Sequence, residues 1–316
     1  MARRQRTSDL IFGGLTGSLA VLVVLIVVAI GVVLWRESLQ SIREFGFGFW
    51  TSSAWNPVEG RFGAFPFIWG TLYSSILALL IAAPVSLGIA VFLSDICPHR
   101  LRAPLIFLTE LLAAVPSIVY GLWGIFVLVP LVRSLQEALP EWMRALPFFS
   151  GPTVGVSMLA AALVLAVMVI PYTSSVAREV LKAVPPAQRE AAYALGSTRW
   201  EATQVALRYA RTGIFGAIML GFGRAVGETM AVTMVIGNSP QASWSLFAPQ
   251  YTMASVIANE FKEAVEQLHL HALVEIGLVL FVITLAVNVV SRLLLWRMTI
   301  DRTPRAPRRR AASEAA

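Results

Sequence analysis

Polar and apolar positions are not interleaved along this chain. Apolar residues collect instead in six long runs: Leu10 to Leu34, Pro66 to Leu93, Pro104 to Val132, Gly151 to Thr173, Gly213 to Gly237 and Ala272 to Trp296. Each exceeds the ~20 residues that cover about 30 Å of hydrocarbon at the helical rise. Strands cross a bilayer only in closed barrels, whose alternation of lipid-facing and lumen-facing residues is absent. The pattern predicts an all-α polytopic membrane protein with six transmembrane helices.

The first run follows Arg3, Arg4 and Arg6, as a signal peptide would. It is nevertheless longer than the ~7–15 residues of a signal h-region, and Trp35-Arg36-Glu37 offers no small-residue cleavage site. We read it as a retained span. Six spans put both termini on one side. That side also carries Arg100 and Arg102, Arg178 to Arg211, and the arginines of the tail, which is most of the 25 basic residues. Basic loops stay in the cytoplasm, so both termini are expected there.

Composition agrees. Only 14% of the residues are charged, against roughly 25% in soluble domains. The net charge of +7 reads as topology, because no basic stripe with stacking aromatics marks a nucleic-acid surface. Nucleic acid is not an expected partner; the lipid bilayer is. The single cysteine, Cys97, allows no internal disulfide.

Four parts follow: a cytoplasmic N-terminus (1–9), the first helix with its external loop (10–65), a five-helix core (66–298), and a basic, disordered cytoplasmic tail (299–316). The loop from Ser38 to Phe65 is rich in aromatics, read either as an interfacial belt or as a docking surface for an external partner. The core holds the longest cytoplasmic loop, 174–211. Pro185-Pro186 breaks any helix there, since proline lacks an N–H and restricts its predecessor. A short helix over Gln188 to Leu195, stopped by Gly196, and a second from Thr198 to Ala210 are predicted.

The sharpest chemical feature is the charged pair Arg224 and Glu228, inside the fifth run. About eleven residues separate Arg224 from Gly213, or about 16 Å along a helix, which places it near mid-bilayer. A charge at that depth costs about 2.5–3.5 kcal/mol on insertion scales and must face protein or water. Residues four apart share a helix face. One reading is a buried ion pair that fixes packing; the other is an anion path in which Arg224 meets the anion and Glu228 holds the guanidinium. Gly223 and Gly227 permit close approach of another helix. Elsewhere, Pro84 and Pro116 should kink their helices and leave carbonyls that need partners. Glu110 and Asn288 could line a cavity or satisfy neighbours. His269 and His271 should point to different sides of a helix, without a third ligand for a metal.

No P-loop is present: the only lysines, Lys182 and Lys262, lack its glycine-rich lead. ATP-driven transport would need its motor on another polypeptide. Arg189-Glu190-Ala191-Ala192-Tyr193-Ala194-Leu195-Gly196 resembles the EAA motif of permease subunits in bacterial binding-protein-dependent ABC importers. Val115 to Gly124, Ile218 to Val232 and Ala258-Asn259-Glu260-Phe261 are similar to segments of the PstC-type phosphate permeases. The resemblance covers roughly Phe62 to Met298.

The resemblance implies a type I ABC importer permease fold in a bacterial inner membrane, and a transport subunit without enzymatic activity of its own. It implies ATPase coupling through Glu190, Ala191, Ala192 and Gly196, and a phosphate path at Arg224, Glu228 and Thr229. The implied partners are a PstA-type permease subunit, two copies of an ATPase subunit that carry ATP and magnesium, and an external phosphate-binding protein. No cofactor is expected in this chain. A permease for another oxyanion (sulfate or molybdate) and an ion-coupled secondary transporter are the alternatives. Duplicated repeats with broken helices would favour the secondary transporter, and the sequence offers no such duplication.

Overall fold

The computed structural model describes the backbone of residues 2–300 and the side-chain surroundings of 12–298; the tail expected at 299–316 lies largely outside these. Among the described residues the fold is helical, with only two isolated bridges, Asn56 with Arg61 and Gly237 with Gln250.

Five helical stretches are long and apolar enough to cross a membrane: Phe12–Glu37, Phe65–Ile96, Ser117–Ala138, Met158–Lys182 and Gln267–Met298. They correspond to five of the six predicted runs. The third run is divided. Its first part lies in the His99–Ala114 helix, and Val115 turns out in extended conformation before Pro116. Pro116 therefore breaks the helix where a kink was expected. Its missing N–H would have met the Leu112 carbonyl, and the Tyr120 hydroxyl donates to that oxygen instead at 2.7 Å. Pro84, by contrast, is absorbed inside the Phe65–Val91 helix.

The fifth run is also divided. The Arg199–Val226 helix ends at Gly227, and a separate helix, Met230–Val235, follows. The fifth apolar run is thus carried by two helices and not by one.

The chain forms two compact units. One comprises the described parts of Met1–Ser74, Gly121–Ala161 and Glu228–Ile283. Its core joins Phe49, Phe62 and Phe67 to Tyr251, Met253, Leu273 and Ile276, with Phe45, Trp50 and Trp55 packed against it. Most aromatics of the loop from Ser38 to Phe65 therefore pack inward. Trp55 stands edge-on to both Phe62 and Phe67, at 5.0 and 4.7 Å. Phe47 alone of this group is almost fully exposed, at 93%. Belt and docking-surface readings both overlooked the apolar drive that pulls such rings into a core. In the same unit Trp55 donates to Glu260 at 2.9 Å, and His269 shares that carboxylate at 3.1 Å. His271 instead bonds the Glu37 carbonyl, so the two histidines do diverge.

The other unit comprises the described parts of Ser75–Tyr120, Ala162–Gly227 and Thr284–Ala316. Its core packs Ala90, Val91, Ala177, Leu181 and Val184 against Ala206, Ala210, Ile214 and Ala217. Small residues recur on one face of the Arg199–Val226 helix, and Gly213 and Gly221 complete the row. A Cβ at Gly213 would meet Val180 Cγ1 at 2.5 Å, and one at Gly221 would meet Thr173 Oγ1 at 2.3 Å. The Met158–Lys182 helix therefore lies closest at these two glycines. Around Gly223, which was expected to serve this purpose, nothing lies within 4 Å.

Candidate functional site

The loop between the Met158–Lys182 and Arg199–Val226 helices is itself ordered. Pro185 caps a helix over Pro186–Ala194, and Pro186 occupies the first turn, where a missing N–H is harmless. Two hydrogen bonds close its far end, Gly196 N–H to the Tyr193 carbonyl at 2.9 Å and Ser197 N–H to the Ala192 carbonyl at 3.1 Å. This pair is a Schellman cap, and it requires the left-handed φ of +82° at Gly196. Two residues later Thr198 opens the next helix with a reciprocal capping box. The Thr198 N–H and hydroxyl both donate to Glu201, at 2.7 and 2.8 Å, and hold its carboxyl below the usual value.

The short helix thus stands between two stiff ends. Glu190 and Ala191 are exposed on it, and so are Tyr193 and Leu195, the last at 88%. Ala192 is buried and faces the protein's own interior; the outward face is Glu190, Ala191, Tyr193 and Leu195. Gly196 is exposed, with open space around it.

The helix is anchored by Arg189, which pairs with Asp95 at 2.9 Å and donates to the Leu181 carbonyl. Arg102 reaches the Ser94 carbonyl beside it. These residues border a cleft of about 400 Å³ whose wall includes Tyr193, Arg199 and Trp200. A second ion pair stands on the same unit: Arg178, only 4% exposed, meets Glu110 at 3.0 Å and Glu179 at 2.9 Å. Glu110 is therefore a packing partner. Asn288 lines a cleft of about 580 Å³ with Gly213, Gly216 and Arg292, and donates to its own helix at Thr284.

Arg224 occupies the last turn of its helix, where a cation complements the negative end of the helix dipole. Its guanidinium lies over the Tyr172 ring at 5.6 Å, and its charge bears on Tyr120. The residue is exposed. Glu228 does not continue that helix. Its carboxylate accepts from the Ala231 N–H at 3.2 Å, at the positive end of the Met230–Val235 helix. Thr229 is the N-cap residue of that helix, and its carbonyl accepts from the Thr233 N–H. The expectation that Arg224 and Glu228 share one helix face is thereby corrected. Each charge complements the dipole of the broken end it occupies, which a count of four residues does not reveal.

Sequence reasoning missed the anchoring pairs Arg189–Asp95 and Arg178–Glu110, the Tyr120 hydroxyl that replaces the proline's bond, and the Tyr172 ring under Arg224. Only Tyr120 carried a signal, as a hydroxyl four residues beyond Pro116. Residues far apart in sequence form the other contacts.

Among the described residues, these features define a polytopic helical membrane protein with an exposed, stiffly capped short helix and a charged pair at a helix break. Residues 98–299 match the family described as "Binding-protein-dependent transport system inner membrane component". The chain is 44% identical to the phosphate transport system permease protein PstC of Mesorhizobium japonicum, over 94% of this chain and 92% of the relative. It is 48% identical to PstC of Pasteurella multocida, over 92% of both chains. For PstC of Haemophilus influenzae the identity is 47%, over 91% of this chain and 93% of the relative. In fold it is similar to a chain of a solved structure described as inward-facing MetNI methionine ABC transporter, with a TM-score of 0.56, 15% identity, and coverage of 73% of this chain and 94% of that one. That likeness concerns the fold alone. The chain belongs to the PstC family of phosphate transport system permease proteins, within the binding-protein-dependent inner-membrane components.

Proposed function

We propose that this protein is the permease subunit of an ATP-driven phosphate importer in a bacterial plasma membrane. The observation that carries the reading is the match to PstC permeases along more than nine-tenths of the chain. It pairs with a PstA-type permease to form the translocation path. Two copies of an ATPase subunit bind ATP and magnesium on the cytoplasmic side, and an external protein delivers phosphate. Both termini are cytoplasmic, in keeping with the basic loops.

The Pro186–Ala194 helix is the coupling element. Glu190, Ala191, Tyr193 and Leu195 form the face that enters the ATPase, and Ala192 seats the helix on its own protein. Gly196 and the capping box at Thr198 make both ends rigid, so a displacement of the ATPase reaches the Arg199–Val226 helix without being absorbed by a soft hinge.

Arg224 supplies the positive charge that phosphate meets inside the membrane. Its cost at that depth is reduced by the helix end it occupies and by the Tyr172 ring. Charged groups at interrupted helices are a recurrent device for substrate passage in membrane transporters. Glu228 and Thr229 contribute by shaping the start of the next segment, and Glu228 acts there as a helix-end carboxylate.

The test is uptake into proteoliposomes that hold this chain with a PstA-type subunit, the ATPase and the binding protein. Labelled phosphate should accumulate only with ATP, and sulfate should not. Uptake by this chain alone, or uptake that survives ATP depletion, would overturn the reading.

A further inference from the structure

Glu275 is a charged residue for which the transport reading has no use. It lies near the beginning of the Gln267–Met298 membrane stretch and is only 2% exposed. Its Oε2 is buried with no hydrogen-bond partner, and among the described residues no basic side chain pairs with it. Ser41, fully buried, bears on the carboxylate as its polar neighbour within the protein. A buried carboxylate oxygen is seldom left without a partner, and Oε2 needs an explanation.

The carboxylate lines an apolar recess of about 240 Å³ whose other walls include Trp35, Ile42, Phe47, Trp50 and Leu278. Three of these side chains are aromatic, and one of them, Phe47, is 93% exposed at the mouth. The turn that presents Phe47 is fixed by Gly46, whose φ is +55°. Trp35 belongs to the end of the Phe12–Glu37 stretch, none of which is buried inside the protein. The recess therefore lies beside two stretches long and apolar enough to cross a membrane, next to a surface that the chain itself leaves uncovered.

An acidic group within a cage of aromatic faces selects an organic ammonium. In a bilayer, the abundant source of such a group is an aminolipid headgroup. Exposed Arg36 and Arg43 adjoin the lining residues Trp35 and Ile42 in the chain and supply positive charge for the headgroup phosphate. The geometry points to a specific site for the ammonium of a phosphatidylethanolamine-type lipid, with Glu275 as its counter-ion and Trp35, Phe47 and Trp50 as its walls. The lipid would brace the external loop against the last membrane helix. This assignment does not depend on what the permease carries.

The experiment is native mass spectrometry of the full-length chain, purified within the complex it forms, stripped of lipid and titrated with phosphatidylethanolamine or phosphatidylglycerol of matched acyl chains. Phosphatidylethanolamine should bind at least about tenfold more tightly, as a charge-assisted contact supplies, and Glu275→Gln should abolish that preference. Phe47→Ala, at an exposed position whose replacement leaves the core intact, should weaken phosphatidylethanolamine several-fold while phosphatidylglycerol binding stays the same. Soluble glycerophosphoethanolamine should not compete at the same concentration. Equal binding of the two lipids, a preference that survives Glu275→Gln, or full competition by the soluble headgroup would overturn the assignment. So would a photo-crosslinker at Phe47 that captures protein instead of lipid in whole membranes.

Discussion

Two glycines on one helix, two positions apart, should respond in opposite ways to the same substitution. A Cβ at Gly221 would lie 2.3 Å from Thr173 Oγ1 and 2.9 Å from Val169 Cγ1. Ordinary contact needs about 3.5 Å, so the Arg199–Val226 and Met158–Lys182 helices would have to part by roughly 1 Å. Thr173 cannot easily yield, because it is 1% exposed. Valine adds two further carbons to the clash, and overpacking of a tight core costs about 1–3 kcal/mol. Gly221→Val should fall at the upper end, about 3 kcal/mol. At Gly223 nothing lies within 4 Å, and valine is a slightly better helix former than glycine, by about 0.3 kcal/mol. Gly223→Val should therefore leave the chain's stability within about 0.5 kcal/mol. Unfolding of the purified full-length protein in detergent, followed by far-ultraviolet circular dichroism against denaturant, separates the two. Equal losses, or a larger loss at Gly223, would refute the packing assigned to this helix. On the proposed pairing with a second permease subunit, the open face at Gly223 is available to that subunit, so Gly223→Val should lower recovery of the heterodimer while the single chain keeps its stability.

The remaining expectations concern the Pro186–Ala194 helix and the buried tyrosine. Gly196→Ala forces a side chain into a φ of +82° and should cost about 1 kcal/mol; co-purification of the ATPase should drop further than stability does. Thr198→Ala removes the helix cap and should cost about 0.5–2 kcal/mol, read by the same unfolding assay. Glu201 is held below its ordinary value by Thr198, so its contribution is present above the free carboxyl's pKa and is lost as pH falls through the lowered one; Glu201→Gln should flatten that acid limb. Burial pushes Tyr251 up to about 12, so its contribution is present below the free phenol's pKa of about 10 and declines as pH rises toward 12. An absorbance titration at pH 11 should find Tyr251→Phe lacking no ionising tyrosine relative to wild type.

Hydropathy revealed the spans wherever one helix occupies one apolar run, as at Phe65–Ile96 and Met158–Lys182. It misled where the chain leaves the helix without becoming polar. Val115 and Pro116 are as apolar as their neighbours, so the division of the third run showed only in proline's missing donor. The break at Gly227 had a weaker cue, a glycine followed by the acidic Glu228 at the start of a new helix. The short loop helix was legible to within two residues, expected over Gln188 to Leu195 and found at Pro186–Ala194, because Pro186 serves in its first turn instead of breaking it while Gly196 closes its end. Its facing was not: burial of Ala192 depends on the tertiary packing of the neighbouring helix. The loop aromatics posed the same problem, because composition alone cannot distinguish Phe49 in the core from Phe47 at the surface. Glu275 passed unnoticed inside an apolar run, and only its lack of a partner in three dimensions draws notice.

Arg224 is proposed to carry the charge that phosphate meets in the membrane. The most direct measurement compares ATP-driven phosphate uptake by the complete complex with wild-type Arg224 and with Arg224→Gln, alongside recovery of the assembled subunits and ATPase activity. Arg224→Gln should assemble normally and hydrolyse nucleotide but lose phosphate uptake. Uptake by the variant at the wild-type rate, in an equally well assembled complex, would contradict the proposal.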